Sequence, residues 1–216
     1  MEGIDDSKVG TWLEANVPGF EAPYQYELIT GGHSNLTFAC IDNSGRRVVL
    51  RRPPLGHVLE SAHDMGREHK IISALESSSV PVPKTYGLCS DPEVNGASFY
   101  VMDFIDGVVL NDSTFSVAIQ DSDRPALGEH VINILCDLHA VDIDAVGLGD
   151  LGRKEAYLAR QLNRWSKQWV ASKTHEIPAM EACQSLLSER MPDQIGASIV
   201  HGDFRLGNMI VDGPRV

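Results

Sequence analysis

Ser198-Ile199-Val200-His201-Gly202-Asp203-Phe204-Arg205-Leu206-Gly207-Asn208-Met209-Ile210-Val211 carries more chemistry than any other stretch of this 216-residue chain. The apolar runs Ser198–Val200 and Met209–Val211 read as two short strands. Between them lies a polar loop with Asp, Arg and Asn at i, i+2 and i+5. A loop clamped between rigid strands can fix side chains without burying unpaired backbone. Asp203 could accept a proton from a hydroxyl, Arg205 could balance phosphate charge, and the amide oxygen of Asn208 could ligate Mg²⁺, a hard cation that prefers oxygen. That combination is a proposal for phosphoryl transfer. Taken alone, His-Gly-Asp reads first as a tight turn with a capping aspartate, so the rest of the chain has to decide.

Upstream, the texture changes twice. Ser7 caps a short expected helix over 7–16, with Val9, Trp12 and Leu13 at helical spacing before the Pro18-Gly19 break. Short β-rich runs follow at Tyr24–Thr30, Leu36–Ile41 and Arg47–Arg52, then a helix over Ala62–Leu75, then runs at Thr85–Cys89 and Ala97–Phe104 parted by the turn-rich Asp91–Gly96. After Asp106-Gly107 the pattern turns helical. Leu127, Val131, Ile134, Leu135 and Leu138 mark one buried face; Leu158, Leu162, Trp165 and Trp169 mark a second, with the two tryptophans read as core; Pro178–Glu189 is a third stretch. The expected class is α+β, with a five-stranded antiparallel half and a helical half.

Two charged positions in the β-rich half form a second candidate pair. Met65, Glu68, Ile72 and Leu75 fall at i, i+3, i+7 and i+10, which puts a carboxylate on the apolar stripe of its helix. Such a group is costly unless paired, and Arg51 on the preceding strand is the obvious partner. Arg52 would face the other way along a regular strand. The bland alternatives are that Glu68 reaches water at the stripe's edge and that both arginines sit at a solvated strand end.

The run His201–Asn208 resembles the H-G-D-x-x-x-x-N loop of the aminoglycoside phosphotransferase family, small-molecule kinases related in fold to the protein kinases. The resemblance extends from about Tyr26 to Val211. Leu28–Thr37, containing Gly31-Gly32-His33-Ser34-Asn35, looks like the family's phosphate-covering turn; Val48–Pro54 looks like its nucleotide-lysine strand, with Arg51 in place of lysine; Phe99–Gly107 looks like its hinge. Tyr157–Trp169 is similar to the branch found alone or fused to acyl-CoA dehydrogenases.

The resemblance implies a kinase-like two-lobe fold: residues 1–104 as the nucleotide lobe, 105–107 as the hinge and 108–216 as part of a catalytic lobe. It implies ATP and Mg²⁺ as cofactors. Gly31, Gly32, Ser34, Asn35, Arg51, Glu68, Met102 and Phe104 would bind nucleotide, Asp203 and Arg205 would be catalytic, and Asn208 would hold the metal. The acceptor would be a small-molecule hydroxyl, a hydroxyacyl compound or hydroxyacyl-CoA ahead of an aminoglycoside. By the same resemblance a metal-binding aspartate would lie a few residues beyond Val216, and Asp212, in an Asp-Gly-Pro turn, is a poor substitute. The expectation is therefore either a portion of a longer enzyme or a pseudokinase-like module that binds nucleotide or a partner and transfers nothing. An aspartate-based hydrolase is weaker, because no second carboxylate accompanies Asp203.

Composition trims the rest. Thirty acidic against 18 basic residues give a net charge of -12, which argues against nucleic acid or an anionic membrane as partner. The four cysteines form no C-x-x-C, the N-terminus has no apolar leader, and no apolar run nears the roughly 18 residues of a membrane span, so the expected compartment is the reducing cytoplasm.

Overall fold

The computed structural model of the chain describes residues 1–29, 35–55, 64–110 and 119–216. Helix α1 spans Asp6–Asn16. Its cap is Asp5 and not Ser7: the Asp5 carboxylate accepts from Lys8 N–H, while its own N–H donates to Asn95 Oδ1 at 3.0 Å. That tertiary bond starts the helix earlier than local pattern suggests.

Five strands follow: β1 (Gln25–Leu28), β2 (Leu36–Ile41), β3 (Arg47–Arg52), β4 (Thr85–Cys89) and β5 (Phe99–Asp103). All neighbours are antiparallel, in the order β1-β2-β3-β5-β4. Helix α2 (Met65–Leu75) is inserted between β3 and β4, and the expected turn between β4 and β5 contains a four-residue helix, α3 (Pro92–Asn95), capped by Asp91 and closed by Gly96. The β2–β3 turn is pinned by Asp42, whose Oδ1 accepts from Ser44 N–H, Ser44 Oγ and Arg46 N–H at 2.7–2.9 Å.

Register assigns the faces. Phe38, Leu50 and Val101 are cross-strand neighbours, as are Thr37, Arg51 and Tyr100 one step along. Side chains alternate, so the first row enters the core with Val9, Leu13, Val17 and Phe20, and the second lies on the opposite face. Burying each large apolar side chain of that core contributes about 1.5–3 kcal/mol, as an upper estimate. Arg52 follows the core row. It is 5% exposed, and its Nη1 donates to Gly3 O at 2.7 Å and Asn95 O at 2.9 Å, so it clips the N-terminal segment and α3 to β3 and is no solvated strand end.

Helix α4 (Arg124–Ala140) buries Leu127, Ile134 and Leu138, as its spacing predicts. Leu127 joins Leu110, Ile119, Met209 and Val211 in a second small core, against which Phe204 and Leu206 pack. These parts and the sheet make one compact unit, Met1–Val141 with Val200–Val216; Asp142–Ile199 makes another. Within that second unit are α5 (Tyr157–Ser172) and α6 (Pro178–Glu189), neither of which fully buries a residue. The reading of Trp165 as core is therefore corrected: it is 57% exposed, with the Arg164 guanidinium 5.7 Å from its ring centre. A unit this small has too little apolar surface to cover both faces of its helices.

Two expected strands also change. Ser198–Val200 is not a strand, and Val200 is 65% exposed. Of Met209–Val211 only Val211 pairs, in an isolated antiparallel bridge with Val108. A strand needs a ladder, and among the described residues only that one position finds a partner.

Candidate active site

Arg51 and Glu68 form the ion pair expected of them, Nε to Oε2 at 2.9 Å, with both side chains about two-thirds buried. The carboxylate is shared further. Asn35 Nδ2 donates to Oε1 at 2.8 Å, and the Tyr100 hydroxyl donates to Oε2 at 3.2 Å. Arg51 Nη1 donates to Thr37 Oγ1 at 3.2 Å, leaving Nη2 as the edge of the guanidinium with no partner among the described residues. Burial, reinforced by the Glu68 charge, pushes the Tyr100 hydroxyl well above its ordinary value, so it remains a donor. Asn35, read from sequence as a phosphate contact, is 8% exposed and turned toward Glu68. Gly31, Gly32 and Ser34, the other turn residues, lie outside the described residues.

At the end of β5, Met102 is half-buried in the ladder between Val49 and Thr85. Asp103 N–H is spent on Lys84 O at 2.8 Å, so backbone groups open to a ligand begin at Phe104. One face of the Phe104 ring carries the Arg47 guanidinium at 3.9 Å, itself paired with Asp106. Ile105, Val108 and Val109, which follow closely in sequence, are exposed apolar side chains, each more than 40% exposed.

The segment after β5 also holds the loop in place. Val108 N–H donates to Val211 O and Val211 N–H to Val108 O, both at 2.9 Å. Gly107 makes the approach possible: a Cβ there would lie 2.6 Å from Ile210 Cγ2 and 2.8 Å from Val211 O, and its φ of +152° disfavours other residues. Asn208 is thus three residues from a fixed backbone bridge.

In the loop, Asn208 Nδ2 donates to Asp203 Oδ2 at 2.7 Å and to Asp203 O at 2.9 Å. That bifurcated bond fixes the amide's orientation and turns Oδ1 outward, the atom a hard cation would take. Arg205 Nε is 3.4 Å from Asp203 Oδ2, and both side chains are more than half exposed, so this pair adds little stability. The Asn208 amide, seconded by Arg205, holds the Asp203 carboxyl below the usual carboxylate range. An ionised Asp203 carboxylate is an acceptor for a hydroxyl's hydrogen bond.

The site residues fall into three groups: Asn35 and Arg51 joined to Glu68 of α2, Met102 and Phe104 at the end of β5, and Asp203, Arg205 and Asn208 within the loop. Sequence pattern missed Thr37, Tyr100 and the Val108–Val211 bridge. Parity along β2 and β5 was the available signal for the first two, since both share Arg51's face. Among the described residues no three His, Cys, Asp or Glu side chains gather to hold a metal, and no helix is long and apolar enough to cross a membrane.

Comparison with known proteins bears on the family and the fold. The model of the phosphotransferase enzyme family (APH) matches residues 25–216. Acyl-CoA dehydrogenase family member 10 of Mus musculus is 38% identical over 179 residues, 83% of this chain and 17% of its own length. A crystal structure from Ralstonia eutropha, assigned as an aminoglycoside phosphotransferase, is 35% identical with a TM-score of 0.85, over 98% of this chain and 62% of that one. The streptomycin-ATP-APH(2")-IIa ternary complex shares the fold, with a TM-score of 0.63 at 20% identity over 100% of this chain and 69% of that one. The chain thus spans less than two thirds of the mouse and Ralstonia relatives, and it shares the kinase-like α+β fold of the two solved structures.

Proposed function

The chain belongs to the phosphotransferase enzyme family, and from that premise we propose that it supplies the nucleotide site and catalytic loop of an ATP- and Mg²⁺-dependent small-molecule O-phosphotransferase. The observation that carries the reading is the Asp203–Asn208 bond at 2.7 Å, which orients an ionised carboxylate and an outward amide oxygen together. The Nη2 edge of Arg51, without a partner among the described residues, would receive α- and β-phosphate oxygens, with Glu68 holding the guanidinium. Met102, Phe104 and the exposed apolar strip after β5 would take the base. Asp203 would orient the acceptor hydroxyl, and Arg205 would stabilise charge on the transferring group. Bound Mg²⁺, ligated in part by Asn208 Oδ1, would neutralise phosphate charge.

That a structure sharing this fold is a ternary complex with ATP makes ATP the first donor to test. For the acceptor we favour a hydroxyacyl compound or hydroxyacyl-CoA over an aminoglycoside, because the mouse relative bears an acyl-CoA dehydrogenase name. We place the protein in the cytoplasm, without nucleic acid or membrane as partner; all four cysteines are free thiols, as a reducing compartment would keep them.

The test is transfer of labelled γ-phosphate by the full-length protein to a panel of hydroxyacyl-CoAs and aminoglycosides. Asp203→Asn should lower the rate by roughly 10²–10⁴-fold with nucleotide affinity little changed. Transfer that survives this substitution would remove Asp203 from the reaction.

A further inference from the structure

Arg51 lies in the middle of a row set by sheet register. Thr37 on β2 and Tyr100 on β5 are its direct cross-strand neighbours, and Asn35 lies two residues before Thr37, on the same face. Each holds one part of the ion pair. Thr37 Oγ1 accepts from Arg51 Nη1, Tyr100 donates to Glu68 Oε2, and Asn35 donates to Glu68 Oε1. A lone arginine–carboxylate pair about one-third exposed would be loosely held, since both chains are long and water competes for each. Here both carboxylate oxygens are taken and two guanidinium nitrogens are committed, so Nη2 is presented in one direction.

We propose that Asn35, Tyr100 and Thr37 are positioning residues for Arg51, and that Asn35 works through Glu68 and not by touching phosphate. This inference rests on the nucleotide reading of Arg51 given above. Asn35 is the last residue of the Gly31–Asn35 run read as phosphate-covering, and its bond to Glu68 ties this residue to α2 and, through Glu68, to Arg51. The Tyr100 ring is 1% exposed and its hydroxyl stays protonated, so removing the hydroxyl alone by Tyr100→Phe leaves the packing intact and frees one edge of Glu68.

The experiment is a double-mutant cycle on the full-length protein, with affinity measured calorimetrically for ADP and for adenosine, which has no phosphate. Asn35→Ala and Tyr100→Phe should each weaken ADP by about 3- to 10-fold, the range of a lost hydrogen bond, and leave adenosine unchanged. In an Arg51→Ala background both should lose their effect on ADP. If ADP and adenosine bind wild type alike, the phosphate role of Arg51 fails and this role fails with it. If ADP is preferred but Asn35→Ala costs as much without Arg51 as with it, only the positioning role is overturned, and Asn35 meets phosphate directly. A variant that melts early is judged instead by NMR: the Arg51 Nε–H signal of ligand-free protein, assigned by its loss in Arg51→Lys, should exchange faster with water when Glu68 is freed, and an unchanged signal overturns the proposal.

Discussion

The two halves of the candidate site are held by different means. Arg51 and Glu68 are fixed by partners 14 to 33 residues away in sequence, at positions set by sheet register. Asp203 is fixed by residues two and five places along its own loop. The first half is mostly buried and integral to the fold; the second has exposed charged side chains, on a loop held by the Val108–Val211 bridge and by Phe204 and Leu206 packing on the small second core. The lesson is that a charged group can be preorganised either by the tertiary structure, at a cost in stability if disturbed, or by its own neighbours, at almost none. Substitutions should separate the two.

The largest stability effect falls where the local half meets the rest. Gly107→Ala sets a methyl 2.6 Å from Ile210 Cγ2 and 2.8 Å from a backbone oxygen, at a φ that disfavours it. It should destabilise the protein by about 2 to 4 kcal/mol and speed amide exchange at Val108 and Val211. Gly128→Ala in α4 makes the matched control, because nothing lies within 4 Å of the added carbon and a helix gains from alanine. Equal melts for the two variants would show that the bridge does not depend on Gly107.

Glu68→Leu against Asp203→Leu sets the halves side by side. The first leaves three donors, on Arg51, Asn35 and Tyr100, without their acceptor in a site two-thirds buried. Discounted for the water that still reaches it, the loss should be about 2 kcal/mol in a denaturant titration. Asp203→Leu should stay within about 0.5 kcal/mol of wild type. Similar losses from both would erase the distinction drawn here.

The same distinction explains which parts of the site are legible in the pattern of residues along the chain. Glu68 stands out because a carboxylate on an apolar helix stripe demands a cation, and Arg51 on the preceding strand is the obvious one to answer. Asp203 to Asn208 stands out because its geometry is local, so spacing alone carries it. Thr37 and Tyr100 are ordinary strand residues whose role exists only once β2, β3 and β5 are in register, and register is a property of three separated segments. The Ser198–Val200 strand fails for the converse reason: an apolar run has strand character, but pairing is decided by what lies beside it. Trp165 follows the same rule, since helical spacing marks an apolar face without saying what covers it.

The smallest effect is the most specific to the loop. The Asn208 amide is the chief cause of the low Asp203 pKa, so Asn208→Ala should move the Asp203 titration, followed by carboxyl ¹³C NMR, upward toward the ordinary value near 3.9. The sign follows from linkage: a carboxyl depressed in the folded state stabilises above its unfolded pKa, and that contribution disappears as pH falls through the folded value. Because Asp203 is exposed, stability should scarcely respond. The wild-type rate should accordingly show no inflection from Asp203 between about pH 5 and 7, where the carboxylate is already fully ionised. An Asp203 midpoint that stays put or falls in Asn208→Ala would mean that Arg205, 3.4 Å away, sets the value instead, and that the amide orients the carboxylate without tuning it.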